Sequence, residues 1–195
     1  MERDLAETAA ETRLFAGRPL NVLVIGCGLF HEAPLLPPDS RCTLLDLDPR
    51  VIDLMKTRST PLIKEARVVT EKFTPEELGE EFDLIYGKEV VEHLPEPSLY
   101  LAKTLRALRP GGVLWLSTPN YGEPWLPLVE KTFLELVARL SGFTRKGIHP
   151  SPFSRKTLEN CLTRAGFQKA KASTVSLRLG LVSRAYRPAG GADGK

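Results

Sequence analysis

The stretch NVLVIGCGLFHEAP, residues 21–34, decides how the chain is read. Val22 to Ile25 form a continuous apolar run bounded by glycine, the pattern of a central parallel strand buried on both faces. Gly26 and Gly28 then make a turn whose backbone can approach a ligand closely, because neither carries a Cβ. A helix is expected to follow. Turns of this kind hold nucleotide-like cofactors, yet the glycine pattern stops after two. A dinucleotide fingerprint requires a third glycine at position 31, where this chain has His31. Glu32 would also put negative charge into the first helical turn, where a pyrophosphate would bind. The loop favours a cofactor without phosphate.

The next apolar run outward is CTLLDLD, residues 42–48. Asp46, near its end, lies 20 residues after Gly26. A carboxylate at that place accepts hydrogen bonds from two ribose hydroxyls. The alternatives are that Asp48 takes this role, or that Asp46 only caps the next helix. Turn and acid together describe a site for an adenosine. S-adenosylmethionine (SAM) has an adenosine, a sulfonium and an amino-acid end, and no phosphate.

The rest of the chain alternates between strand and helix signals. RVIDLMKTR, behind Pro49, has helical spacing with Val51, Ile52 and Met55 on one side. ARVVTE and EFDLIYG read as third and fourth strands. EPSLYLAKTLRALRPGG reads as an amphipathic helix with Leu99, Leu101, Leu105 and Leu108 inward, stopped by Pro110-Gly111-Gly112. GVLWLSTPN is a fifth strand. SRKTLENCLTRAGF is a helix between an N-cap at Ser154 and a stop at Gly166. FQKAKASTVS and LVSRAYRP read as a closing hairpin. The first residues, MERDLAETAAETRLF, read as a short helix with Leu5 and Leu14 inward. Alternating β and α units predict an α/β fold, a doubly wound sheet with helices on both faces. Ligands then sit beyond the C-terminal ends of the strands, at the switch point beside the first.

Composition agrees with one domain over residues 1–187 and a disordered tail over 188–195. The chain has 195 residues, 42% hydrophobic and 26% charged. No apolar run approaches the roughly 20 residues that span a bilayer, and the first residues lack the apolar core of a signal peptide. Cys27, Cys42 and Cys161 are scattered without metal spacing, as expected of reduced thiols in a cytoplasm. The net charge of +3 hides an asymmetry: residues 1–138 hold 15 Lys/Arg and 22 Asp/Glu, a net −7, whereas residues 139–195 hold 12 and 2, a net +10. The basic part is either a solvated face or a surface for an anionic substrate, RNA or a lipid headgroup.

Taken in order, the glycine turn, FDLIYGKEVVEHL, LAKTLRALRPGGVLWLSTPN and PFSRKTLENCLTRAGF resemble the class I SAM-dependent methyltransferases, in particular the broad group that includes ubiquinone-biosynthesis O-methyltransferases. The resemblance covers roughly residues 20–187 and implies a Rossmann-like, seven-stranded sheet, mostly parallel with an antiparallel last strand. It implies that Gly26, Cys27 and Gly28 pass under the methionine part of SAM. Asp46 then takes the ribose, Leu47 covers one adenine face and Glu71 stands near the adenine amine. Gly87 and Lys88 border the sulfonium side. The sequence departs from the family pattern at Val24, where an acid usually helps hold the ligand's amino group, and at Phe30, where the third glycine lies.

KEVVEH draws attention for chemistry. On a short helix, Glu89, Glu92 and His93 would share one side. Related RNA 2′-O-methyltransferases and quinone O-methyltransferases carry a similar cluster that can bind a divalent cation, with a later histidine, here His149, completing it in the RNA enzymes. His93 acting alone as a general base is the alternative. Residues 121–148 are strongly apolar and read as a helical lid over the acceptor site. The expectation is a methyltransferase acting on an oxygen of a small-molecule or lipid-linked acceptor. An inactive or partner-dependent SAM binder and an RNA methyltransferase are the rival readings. Peripheral membrane contact fits the apolar lid and the basic segment behind it.

Overall fold

The computed structural model describes residues 1–58, 60–123 and 150–189. Seven strands form one sheet in the order β3-β2-β1-β4-β5-β7-β6. They are β1 (Asn21–Ile25), β2 (Arg41–Asp46), β3 (Ile63–Val68), β4 (Phe82–Lys88), β5 (Leu108–Pro119), β6 (Gln168–Val175) and β7 (Gly180–Tyr186). β1 to β5 pair in parallel, and β7 runs antiparallel between β5 and β6. The fold is thus the predicted Rossmann-like, doubly wound sheet with an antiparallel last strand.

The helices are α1 (Glu2–Ala16), α2 (Pro49–Thr57), α3 (Pro97–Ala107) and α4 (Arg155–Arg164). Side chains alternate across the strands, so each strand feeds two cores. Val22, Val24, Leu44, Tyr86 and Trp115 pack with Leu5 and Ala9 of α1 and with Ile52 and Met55 of α2. Leu23, Ile25, Leu45, Ile85 and Leu114 pack with Leu101 of α3 and with Leu158 and Leu162 of α4. Central strands covered on both faces need the continuous apolar runs seen in the sequence.

Four local expectations are corrected. No α-helix follows the glycine turn; residues 33–35 form one 3-10 turn, because Pro34 and then Pro37-Pro38 interrupt the backbone hydrogen-bond ladder. Leu14 is 83% exposed, since α1 buries only the stripe through Leu5, Thr8, Ala9 and Thr12. Leu99 is exposed too, and Leu108 reaches the core as the first residue of β5. Pro110-Gly111-Gly112 does not stop α3, which ends at Ala107; it forms an irregular start to β5, where the register with β4 shifts between Phe82 and Leu84. The expected lid lies outside the described residues except at its first three positions. Of the expected tail, residues 190–195 lie outside them.

Candidate cofactor-binding and catalytic site

A cavity of about 300 Å³ opens at the C-terminal edge of the sheet, beside β1, where the strand order reverses. Gly26, Asp46, Leu47, Glu71, Glu89 and His93 line it, with Ile25, Val69, Phe73, Val90 and Tyr100 as its apolar walls. Six of the twelve residues singled out in the sequence therefore meet at one cavity.

The glycine turn is shaped for this. Gly26 has φ +65°, and a Cβ there would come within 2.7 Å of Val90 Cγ2. Gly28 is also left-handed, at φ +46°. Phe30 keeps the left-handed backbone of the third glycine position, at φ +47°, while its ring is buried in the core of α1 and α2. A non-glycine residue there costs roughly 1–2 kcal/mol, which burial of the ring offsets. The turn retains its shape without the third glycine.

Asp46 is held in place by backbone. Its Oδ2 accepts from the Gly28 N–H at 2.9 Å and its Oδ1 from the Asp48 N–H at 3.0 Å. A carboxylate can accept about four hydrogen bonds, so both oxygens retain capacity for hydroxyl donors in the cavity. Asp48 instead caps α2, accepting from the Arg50 N–H at 2.9 Å. Asp46 therefore lines the cavity, whereas Asp48 is engaged in capping the helix. Cys27 packs in the core and does not line the cavity; burial, with the Asp46 charge next, pushes its thiol up to about 12, so it stays protonated at neutral pH. Gly87 lines a small apolar space behind the cavity, where a Cβ would stand 3.4 Å from Leu116 Cδ2. Lys88 stands outside the cavity and pairs with Glu32 at 2.9 Å.

The Glu-x-x-Glu-His cluster does not form as expected. Glu89 has φ +55° and is not helical; only Val91–His93 form a 3-10 turn. The left-handed step redirects the chain, so Glu92 turns away from the other two. Glu89 and His93 reach the cavity, whereas Glu92 is 0% exposed beneath it. Among the described residues no three His, Cys, Asp or Glu side chains form a group that could hold a metal ion. His149 lies outside the described residues.

The electrostatics differ among these groups. Loss of surrounding water pushes the Glu89 carboxyl up, against the pull of the Ser117 hydroxyl and of the Lys88 and His93 charges, although its side chain reaches the rim. Burial, with the Glu89 charge adding, pushes Glu92 up to about 7. Neither Glu92 oxygen makes a well-formed hydrogen bond among the described residues; the Glu92 backbone and the nearby Thr118 hydroxyl pull the value down without overcoming burial.

The residues fit an adenosine. A carboxylate with free acceptor capacity and a glycine turn free of Cβ atoms meet at a cavity whose described lining carries Asp46, Glu71 and Glu89 and no Lys or Arg. A pyrophosphate would meet these three acids, and no α-helix follows the glycine turn to receive it. Fold and site together define a class I SAM-dependent methyltransferase. The chain belongs to that family: a model described as "Methyltransferase domain" matches residues 1–172.

Among its relatives is trans-aconitate 2-methyltransferase of Deinococcus radiodurans, 33% identical over 128 residues, which are 65% of this chain and 48% of that protein. Ubiquinone biosynthesis O-methyltransferase of Pseudomonas putida is 32% identical over 103 residues, 51% of this chain and 44% of that protein. The chain thus spans about half the length of the curated relatives it matches. N-methyltransferase NodS of Bradyrhizobium japonicum, solved with S-adenosylhomocysteine, shares the fold with a TM-score of 0.61 at 21% identity, over 95% of this chain and 87% of that one. Among the described residues no helix is long and apolar enough to cross a membrane.

Proposed function

We propose that the protein transfers a methyl group from SAM to an oxygen of a small-molecule or lipid-linked acceptor. The observation that carries this is the cavity itself, with Asp46 fixed by two backbone N–H groups at its mouth and two titratable groups, Glu89 and His93, at its rim. SAM supplies a methyl carbon already activated by its sulfonium. The chain's own residues do the rest. Asp46 accepts from the ribose hydroxyls, Leu47 and Phe73 cover the adenine, and Glu71 accepts from its amine. Gly26 lets the ligand lie against backbone. Orientation of the two reactants supplies much of the acceleration.

An acceptor hydroxyl must also lose its proton. A His93 ring nitrogen or a Glu89 carboxylate oxygen takes it, and the raised Glu89 value brings that group closer to neutral pH, where proton exchange is most effective. The likeness to a ubiquinone biosynthesis O-methyltransferase supports oxygen as the acceptor atom. A SAM binder without turnover is the second reading, favoured by Val24, which is buried among apolar side chains where an acid would meet the ligand's amine.

Calorimetry with S-adenosylhomocysteine tests the cofactor. The unmutated protein is expected to bind it, and Asp46→Ala to bind about tenfold more weakly or worse, the loss of charge-assisted hydrogen bonds. Unchanged affinity in the variant moves the ribose contact elsewhere, and tight binding of NAD overturns the reading. Radiolabel transfer from SAM across a panel of phenols, carboxylates and lipid-linked hydroxyls then separates the enzyme from the silent binder.

A further inference from the structure

Resting on the SAM reading above, we propose that the Glu32–Lys88 ion pair anchors the amino-acid end of the cofactor, with Glu32 taking its ammonium and Lys88 its carboxylate. That end is a zwitterion and needs one anion and one cation near each other. The cavity offers acids in plenty and no Lys or Arg among its described lining residues, so the cation has to come from its border. Val24, the strand position closest to the turn on the α1 face, is buried among apolar side chains and supplies no charge.

Glu32 and Lys88 meet both needs. Gly87 is paired in register with Ile25, so Lys88 continues β4 at the level of the Gly26 turn. Glu32 lies two residues beyond Phe30, the buried anchor of the same loop, and stands at the start of the 3-10 turn that replaces a helix. Its carboxylate Oε1 and Lys88 Nζ are 2.9 Å apart, with side chains 12% and 36% exposed. The acid is thus drawn well out of water while the cation remains reachable. Its charge is also felt at the buried Tyr86 phenol, which burial pushes up and the Glu32 charge pushes further.

A partly buried ion pair gains little stability by itself, because desolvation offsets its attraction. Between the two charges a ligand zwitterion forms two complementary pairs in place of one, an alternating arrangement of four charges. No helix dipole is needed. Arg58 also reaches this loop, but its guanidinium holds the Leu29 carbonyl at 2.6 Å.

The test compares S-adenosylhomocysteine with 5′-methylthioadenosine, which keeps the adenosine and thioether and lacks the amino-acid end. Both are titrated by calorimetry into the unmutated protein and into Glu32→Gln, Lys88→Met and Arg58→Met, with melting temperatures recorded. The expected result is a loss of about tenfold or more in S-adenosylhomocysteine affinity for Glu32→Gln and for Lys88→Met. Methylthioadenosine affinity is expected to change less than about twofold in both, and Arg58→Met to leave both ligands unaffected. Equal losses for the two ligands overturn the proposal, because the pair then only clamps the loop to β4. Unchanged affinities overturn it as well, and a selective loss in Arg58→Met transfers the carboxylate to Arg58. If neither ligand binds the unmutated protein, the cofactor reading itself fails and the anchor with it.

Discussion

Glu92 is a fully buried carboxyl whose oxygens make no well-formed hydrogen bond among the described residues, and its chemistry is set by that burial. Its value rises from 4.5 to about 7, burial first. Below pH 4.5 the folded and unfolded chains both hold the proton, so the group costs nothing. Between pH 4.5 and 7 the unfolded chain releases the proton and the folded chain keeps it, so stability falls as pH rises. Above pH 7 the full penalty is present, about 3 kcal/mol. Glu92→Gln has the same shape and no titration. The variant is expected to gain on the unmutated protein between pH 4.5 and 7, by about 3 kcal/mol in urea unfolding. A pH-independent difference would mean that Glu92 ionises as an exposed acid does. At this scale the place of Asp46 at the cavity was legible because one distance in sequence fixes it, from the glycine turn to the end of the next strand. The burial of Glu92 was not, because it follows from the left-handed step at Glu89, where the residue type gives no warning. Glu32 was read as an obstacle to phosphate; its partner lies 56 residues away.

Between elements, α1 is fastened to the sheet by a polar latch inside an otherwise apolar interface. Asp4 Oδ1 accepts from Trp115 Nε1 at 2.8 Å and from Arg184 Nε at 3.0 Å, so one carboxylate joins α1, β5 and β7. Burial works against the Asp4 charge, but the hydrogen bonds from Arg184 and Trp115 and the charge of Arg184 outweigh it and hold the carboxyl below 3.8. A depressed acid stabilises the fold above its unfolded value and loses that contribution as pH falls through the lower, folded one. Asp4→Ala leaves the buried indole N–H without this acceptor and is expected to cost about 2 kcal/mol at pH 7. Asp4→Asn retains an acceptor and is expected to cost less, with its difference from the unmutated protein vanishing as pH falls below 3.8. Guanidinium unfolding followed by far-UV circular dichroism measures both; an Asp4→Ala variant as stable as the parent would show that the Asp4 latch does not hold α1. The strands were legible because burial on both faces forces continuous apolar runs. Helix α1 was legible only in outline: its buried stripe contains Thr8 and Thr12, whose hydroxyls turn back to the carbonyls of Asp4 and Thr8, and hydrophobicity alone pointed to Leu14 instead.

Across the whole molecule, part of the charge asymmetry of the sequence is an internal matter. Arg184 pairs with Asp4, Glu7 and Glu11, Arg178 with Glu123 and Arg187 with Glu81, so cations of the basic last part meet acids of the first. Composition could not reveal this, because β7 is brought beside α1 and β5 only by the complete sheet. The same sheet separates stability from binding. The cavity occupies the C-terminal ends of the strands; at the opposite ends, Asp83 accepts from Arg18 Nη1 at 3.0 Å, from Arg109 Nη1 at 3.0 Å and from the Asn21 N–H at 2.8 Å. The three partners come from the chain before β1, the start of β5 and the start of β1. The Asp83 side chain is 6% exposed, whereas Arg18 and Arg109 are 44% and 35% exposed. Removing the acid lets both cations turn to water, so Asp83→Ala is expected to cost about 2 kcal/mol, the loss of its charge-assisted hydrogen bonds. Removing the cations leaves a buried anion that cannot turn to water, so the Arg18→Met/Arg109→Met double variant is expected to cost about 3–5 kcal/mol. Denaturant midpoints give both numbers. S-adenosylhomocysteine affinity, measured where each variant is folded, is expected to stay within about twofold of the parent, since sites this far apart contribute independently. Affinity falling in step with stability would show that the two ends of the sheet act as one unit.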